Sequence, residues 1–212
     1  MKSLFYVGSN CGDAQAGLRV FDIDGQTGMI RQLSQVDDAI DPIYLALSAN
    51  GKILYAAQRV APGADGNVGG IAVYAVNGSV LIKQAEYSCA ITVPCHLSIS
   101  RDGKKLLYAE YRNAWAGVFT IKPNGLLEGP IATTHHEGRG PNAIRQEAAH
   151  CHCAIMTPDD SRICICDLGL DKVFVYEADR VAGKLREIDG SGYQSAPGAG
   201  PRHLVFHPSA RL

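Results

Sequence analysis

Short apolar segments rich in β-branched and aromatic side chains recur along the whole chain and are separated by polar turns. Runs with the 3.6-residue periodicity of an amphipathic helix are hard to find. Several of the turns contain Asn-Gly or Asp-Gly, the strongest short-range signal of a β-hairpin, among them Asn50-Gly51, Asn77-Gly78, Asp102-Gly103 and Asn124-Gly125. The pattern therefore predicts an all-β protein built as an antiparallel meander.

One hairpin pattern recurs along the chain. A short apolar strand follows Pro42, Pro94, His150 and Pro201, and in the first three copies a polar turn and a second apolar strand come next. Equivalent positions lie about 50 residues apart, and this period with four strands per repeat is typical of propeller blades. The third copy has one extra residue after His152, which predicts a β-bulge there.

The repeat divides the chain into the parts of a single partial β-propeller, about four blades in all. We label the strands of a blade A to D from the propeller axis outward. Residues 1–41 then supply strands B to D of a first blade, and residues 201–212 supply a lone inner strand A. Complete blades are predicted at 42–93, 94–149 and 150–200, the last with its strand D near Lys184–Tyr193.

The composition limits the classes of function. Apolar residues make up 46% of the chain and charged residues 19%, so the chain can bury a core. The net charge is −1 with no basic run, which argues against a nucleic-acid partner. The first residues lack a long apolar segment, so we expect no signal peptide and no membrane span. Seven cysteines, an odd number in a chain of this length, indicate free thiols in a reducing cytosol.

The candidate functional residues are expected at one end of the blades. In an antiparallel meander, the start of strand A and the end of strand B lie at the same end of the sheet. We call this end of the blades the mouth of the propeller. Polar residues lie there in the loops before strand A (His96, Arg145, Glu147, His150, His152, Arg202 and His203) and after strand B (Gln58, Arg59, Glu110, Arg112 and Asp167). Arginines and histidines around a carboxylate suit an anionic, oxygen-rich ligand.

Three segments resemble a known family: Arg145–His152, Asp167–Glu177 and Gly198–Pro208. They look like the lactonase family of seven-bladed propellers, which includes 6-phosphogluconolactonases and has the carboxymuconate lactonising cycloisomerases as relatives. The resemblance covers the whole chain in order. The family pattern needs roughly three further blades at about 50 residues each, so the chain resembles the N-terminal part of such a protein.

The resemblance implies hydrolysis of 6-phosphogluconolactone, a small sugar-phosphate lactone, in the cytoplasmic pentose phosphate pathway and without a cofactor. It points to His152 as a catalytic residue and Arg202 as an anion or oxyanion partner. The family pattern also has a Glu on the strand that follows the Gly-Pro-Arg-His motif, and that position would lie beyond Leu212. Glu147 is therefore assigned to catalysis in its place, with Glu110 as the other candidate. Arg145, His150, His203, Arg112 and Arg59 are assigned to substrate binding. No Gly-x-Ser-x-Gly motif supports a serine nucleophile.

Several alternatives stay open. Cys151, Cys153, Cys164 and Cys166 form C-x-C pairs inside strands rather than the turns typical of zinc sites, so we expect no metal. The loop residues His135, His136 and Glu137 are expected to be solvated. The mouth also suits a lactonising cycloisomerase with a carboxylate substrate, and the chain also fits a non-catalytic propeller fragment that binds ligands or partners.

The arrangement of the blades is the last expectation. Closure of four blades would strain interfaces suited to a seven-fold ring, so we expect an open arc. The segment Leu4–Val7 then becomes an exposed edge, through which the chain can associate with itself.

Overall fold

The computed structural model describes residues 2–10, 17–64, 66–179 and 183–207, and these contain sixteen β-strands and no helix. Accordingly, none of the described residues lies in a helix long and apolar enough to cross a membrane. The chain divides into two compact units, residues 1–94 and 95–212.

Unit 1 contains two antiparallel sheets in chain order. The first is made of β1 (Lys2–Gly8), β2 (Leu18–Asp24) and β3 (Ile30–Val36). The second is made of β4 (Ile40–Leu47), β5 (Ile53–Arg59), β6 (Gly69–Asn77) and β7 (Val80–Ala90). Three strands followed by four are what the repeat predicts for residues 1–93. Strand β1 pairs only with β2 in its sheet, and Leu4 and Val7 are exposed.

Unit 2 contains the next two groups of strands. One group is β8 (His96–Ile99), β9 (Lys105–Glu110), β10 (Trp115–Ile121) and β11 (Leu127–His135). The other is β12 (Cys151–Met156), β13 (Ile163–Asp167), β14 (Lys172–Asp179), β15 (Lys184–Glu187) and the two-residue β16 (Tyr193–Gln194). The outer strands β11 and β15 meet in one parallel pair, Thr133 with Lys184.

The turn chemistry read from the sequence is confirmed. Gly51, Gly78, Gly103 and Gly125 all have φ between +59° and +84°, a region that glycine enters at little cost. The predicted bulge is also present. Cys151 lies opposite Asp167 and Cys153 lies opposite Cys166, so His152 is the extra residue on its strand.

Two strand predictions near the end of the chain are wrong. The segment Lys184–Tyr193 is not one strand, because a turn containing Gly190 and Gly192 separates β15 from β16. Residues 201–207 form no strand at all. The part of this prediction that falls on 208–212 lies outside the described residues.

The core of unit 2 packs between its two groups of strands. It contains the fully buried side chains of Leu107, Ala116, Val118 and Ile165 and the nearly buried Phe174. Strand β13 lies between β12 and β14, and every residue of β13 is buried. The buried apolar side chains of β13 therefore anchor the β12–β13 hairpin, which carries the bulge at His152.

The first prediction concerns this core. Ile165→Ala should lower the free energy of unfolding by about 3 kcal/mol, because it removes buried methyl groups and leaves a cavity. Ile144→Ala, at a side chain that is 85% exposed, should change it by less than about 0.5 kcal/mol. Urea unfolding monitored by tryptophan fluorescence measures both. Equal effects of the two substitutions would contradict this assignment of the core.

Candidate active site

Tyr111 is the ring around which the site residues of unit 2 collect. The His150 ring stacks on it with centroids 4.1 Å apart and planes within 1°. The His152 ring meets its edge at 5.7 Å, and the guanidinium carbon of Arg145 lies 6.0 Å from its centroid. We call the group Tyr111, Arg145, Glu147, His150, His152, Arg202 and His203 the Tyr111 site. Sequence reasoning named both chain neighbours of Tyr111 but missed Tyr111 itself.

His150 is fixed in place by its hydrogen bond and by stacking. Its Nδ1 donates to the carbonyl oxygen of Tyr111 at 2.9 Å. Its Nε2 lies 3.4 Å from Oε1 of Glu147, a contact without hydrogen-bond geometry. The backbone N–H of Glu147 and the nearby His150 hold the pKa of the exposed Glu147 carboxyl below its usual value. Glu147 is therefore an ionised group facing His150.

His152 and Arg202 form the central pair of the site. Arg202 Nε donates to His152 Nε2 at 3.0 Å, so the proton of the neutral imidazole belongs on Nδ1. That Nδ1 is buried and has no hydrogen-bond partner among the described residues. Burial, with the positive charge of Arg202 and the neighbouring His203, lowers the pKa of His152. His152 is thus a neutral histidine whose accepting nitrogen is occupied by a guanidinium.

His203 completes this side of the site. Its ring meets the His152 ring edge-on at 4.9 Å, and it lies 6.2 Å from the ring of His96. Arg202 and His203 are both exposed, whereas His150 and His152 are buried. The site therefore has an exposed cationic side and a buried imidazole side.

The two other predicted arginines differ in their surroundings. Arg112 is exposed and lines a surface cavity of about 290 Å³ together with His135, His136 and Glu137. Arg59 belongs to unit 1, where its Nη2 lies 2.9 Å from Oδ2 of Asp41. A part in substrate binding stays a prediction for both.

Two buried carboxylates at the ends of strands β9 and β13 shape the loops of the mouth. Glu110 accepts the backbone N–H groups of Arg112 at 2.9 Å and Asn113 at 2.8 Å. Asp167 accepts those of His150 at 2.9 Å and Leu170 at 3.0 Å. Neither side chain has any measurable exposure. Glu110 is therefore a turn-capping residue, which argues against it as a substitute for the family's catalytic Glu.

The prediction of a solvated loop is wrong for His136. It was expected in a solvated loop, but it is buried, with Nδ1 2.6 Å from Asp167 Oδ2 and Nε2 2.8 Å from the Tyr176 hydroxyl. A buried tyrosine and a strand-end aspartate provide these partners from distant parts of the sequence. The reason for the error is that such tertiary contacts leave no local signal.

The described residues contain one group with the ligand types of a metal site. His136 Nδ1, Cys151 Sγ and Asp167 Oδ2 all lie within 4.8 Å of one another and are buried. The 2.6 Å between the nitrogen and the oxygen is a hydrogen bond. Two ligands of a tetrahedral ion at bond lengths of about 2.0 Å lie roughly 3.3 Å apart, so an ion would have to separate them. The arrangement is that of a hydrogen-bonded cluster.

The cysteines of β12 have different surroundings. Cys151 contacts His136, whereas Cys153 Sγ lies 3.5 Å from His96 Nε2. The Cys166 thiol and the His96 ring lower the pKa of Cys153 by donating to its sulfur. The six cysteines in the described part of the chain are all free thiols.

Comparison with known proteins gives the family. A model of the lactonase family, described as a 7-bladed β-propeller, matches residues 4–212. The 6-phosphogluconolactonase of Bacillus subtilis (strain 168) is 32% identical over 212 residues, which cover 99% of this chain and 58% of that protein. The 6-phosphogluconolactonase of Formosa agariphila is 26% identical over 196 residues, covering 92% of this chain and 55% of that protein.

Solved structures give the same result. A putative 6-phosphogluconolactonase from Bacteroides fragilis superposes with a TM-score of 0.85 at 26% identity, covering 99% of this chain and 59% of that one. A periplasmic gluconolactonase from Pseudomonas aeruginosa superposes with a TM-score of 0.84 at 26% identity, covering 99% and 60%. The chain thus spans less than two thirds of the length of the proteins it matches.

Antiparallel four-stranded repeats with polar loops at one end define the class: this is an all-β protein made of propeller blades. With the family match over nearly its whole length, the chain belongs to the lactonase family of seven-bladed β-propellers. The predicted fold class and family are therefore confirmed.

The second prediction follows from the lowered pKa of His152. The folded chain binds fewer protons at this ring than the unfolded chain, so His152 should make stability rise with pH through the window just below 6.5 and fall again on acidification. His152→Gln keeps an acceptor for Arg202 and should remove that slope. Urea unfolding of both proteins from pH 5 to 7.5 gives the difference directly. A difference that does not change with pH would contradict the environment described for His152.

Proposed function

We propose that the chain supplies part or all of a 6-phosphogluconolactonase site, which hydrolyses a sugar-phosphate lactone at the Tyr111 site. The observation that carries this proposal is the pairing of a neutral, buried His152 with the exposed guanidinium of Arg202. A base that is unprotonated near neutral pH and a fixed positive charge are what lactone opening requires. The names of the relatives support the same reaction.

Arg202 is the residue that the substrate meets first. A guanidinium binds phosphate or carboxylate oxygens through strong charge-assisted hydrogen bonds, whereas its bond to a neutral imidazole is weaker. An anionic lactone therefore draws Arg202 to itself and uncovers His152 Nε2. The imidazole becomes available as a base only when substrate is present.

The reaction then needs one water molecule. His152 Nε2 takes a proton from this water as its oxygen attacks the lactone carbonyl carbon. The negative charge that develops on the carbonyl oxygen is stabilised by Arg202. When the tetrahedral intermediate collapses, the bond from this carbon to the ring oxygen breaks, and the ring oxygen takes the proton from His152. The products are the open-chain acid and the regenerated neutral histidine.

The remaining site residues have proposed roles in binding. Arg145, whose guanidinium carbon lies 6.0 Å from the centroid of the Tyr111 ring, is assigned to the phosphate, with Arg112 and Arg59 as further anion-binding candidates. His203 borders the ring of His152. Glu147 was assigned to catalysis from the sequence, and its contact with His150 supports a role in holding that ring.

The setting of the reaction is part of the proposal. We place it in the cytoplasm and in the pentose phosphate pathway, which accords with six described free thiols. The open arc of blades and self-association through β1 also stay predictions.

The third prediction tests the base. The chain should accelerate hydrolysis of 6-phosphogluconolactone above its spontaneous rate, and His152→Gln should lower kcat/KM by about 10²- to 10⁴-fold. His207→Gln, at an exposed histidine five residues beyond Arg202, should leave it unchanged. The acid limb of the kcat/KM profile should lie below pH 6.5, because the pKa of His152 is lowered.

The result decides between the functional hypotheses. If the pure, folded chain does not accelerate hydrolysis of 6-phosphogluconolactone, the hypothesis of a non-catalytic propeller fragment is favoured. Turnover of a carboxymuconate lactone in place of the sugar phosphate would favour the cycloisomerase.

The fourth prediction tests the guanidinium. Arg202→Ala should lower kcat/KM by about 10²- to 10³-fold, since it removes a charge at the developing oxyanion. Arg202→Lys should fall between this variant and the wild type, because lysine keeps the charge but lacks the planar fork of donors. Steady-state kinetics on all three proteins measures the order. An Arg202→Ala protein with wild-type kinetics would exclude this role.

A further inference from the structure

Asp171 lies where two loops of the Tyr111 site meet. It is buried in the turn between β13 and β14 and has φ of +56°, in the left-handed region that aspartate and asparagine enter more readily than most residues. Asp171 lies inside the family-like segment Asp167–Glu177 and is not among the predicted site residues.

Its first set of contacts reaches the loop before Arg202. Oδ2 accepts the backbone N–H of Gly198 at 2.7 Å, and Oδ1 accepts that of Gly200 at 2.8 Å. The carbonyl oxygen of Asp171 also accepts the Ser195 hydroxyl at 2.7 Å. Because residues 201–207 form no strand, sheet pairing does not hold Arg202. The carboxylate of Asp171 anchors the chain two residues before it.

Its second contact reaches the loop that carries Arg145 and Glu147. Gln146, between these two residues, is buried and donates from Nε2 to Asp171 Oδ1 at 2.7 Å and to the Leu168 carbonyl at 2.9 Å. Its Oε1 accepts the backbone N–H of Asn142 at 3.1 Å. One carboxylate is thus bonded to both loops.

The close packing of this region leaves little freedom. A Cβ added at Gly169 would lie 1.9 Å from the carbonyl oxygen of Ala148, so the β13–β14 turn approaches the loop backbone to backbone. In this packed setting the hydrogen bonds of Asp171 join the loop that contains Gln146 to the loop that contains Gly198 and Gly200.

We propose that Asp171 and Gln146 are positioning residues of the Tyr111 site, which together hold the Arg202 loop and the Arg145–Glu147 loop in register with His152. The effect on turnover rests on the proposed lactonase function. The positioning of Arg202 on His152 does not, since it is a property of the folded chain.

The fifth prediction uses Asp171→Asn. Asparagine has the same size and tolerates the same backbone conformation, but its NH₂ group faces a backbone N–H where the carboxylate had an acceptor. Arg202 should therefore shift from His152 Nε2. The pKa of His152, measured by NMR titration of its ring, should rise from the wild-type value at least halfway to that of Arg202→Ala.

Two further proteins make the test specific. Gln146→Met keeps the length of the side chain and removes its hydrogen bonds, and it should move the pKa of His152 in the same direction by a smaller amount. If Asp171→Asn does not fold, this variant decides. Asp159→Asn is the matched control, because Asp159 also accepts a backbone N–H but caps the turn at the far end of the β12–β13 hairpin. It should leave the His152 titration unchanged.

Turnover provides the second readout. A displacement of about 1 Å in a catalytic group can cost roughly 100-fold, so Asp171→Asn should lower kcat between about 10- and 100-fold. Asp159→Asn should match the wild type. A His152 titration that is the same in Asp171→Asn and wild type would overturn the proposal. If the wild-type chain has no lactonase activity, the proposed function fails, and the titration still decides whether the two residues position Arg202.

Discussion

The mouth of unit 2 depends on buried carboxylates that must find hydrogen-bond donors. Glu110, Asp167 and Asp171 are almost or wholly inaccessible to water, and burying such charges unpaired would cost several kcal/mol. Each therefore accepts backbone N–H groups of the loops around it. These hydrogen bonds fix the conformation of the loops, and the same loops carry the residues of the site.

How much of this could be predicted from the sequence depends on the range of the interaction. Gly51 and Gly103 lie in hairpins whose turn residues are adjacent in the chain, and the repeat gave both the strand order and the bulge at His152. His136 was misjudged because its partners, Asp167 and Tyr176, lie 31 and 40 residues away. Tyr111 was missed because an aromatic residue after a strand is ordinary until the rings that stack on it are known. A site assembled from three loops and a strand has no single local signal.

The His152–Arg202 pair joins the structure to the chemistry. Burial and a neighbouring positive charge both favour the neutral imidazole, and the same guanidinium occupies its accepting nitrogen. An anion at the mouth would attract Arg202 away from His152 Nε2. It would also raise the pKa of the ring, because a negative charge favours the protonated imidazole. Anion binding and uncovering of the base are then one event, which explains how a histidine can be reserved for an anionic substrate.

The most direct measurement is an NMR titration of the His152 ring with and without saturating 6-phosphogluconate, the open-chain product. If the anion draws Arg202 away, the pKa of His152 should rise on binding, and the rise should be smaller in Arg202→Ala, where only the charge of the anion itself acts on the ring. A pKa of His152 that stays the same when the anion is bound would contradict the account.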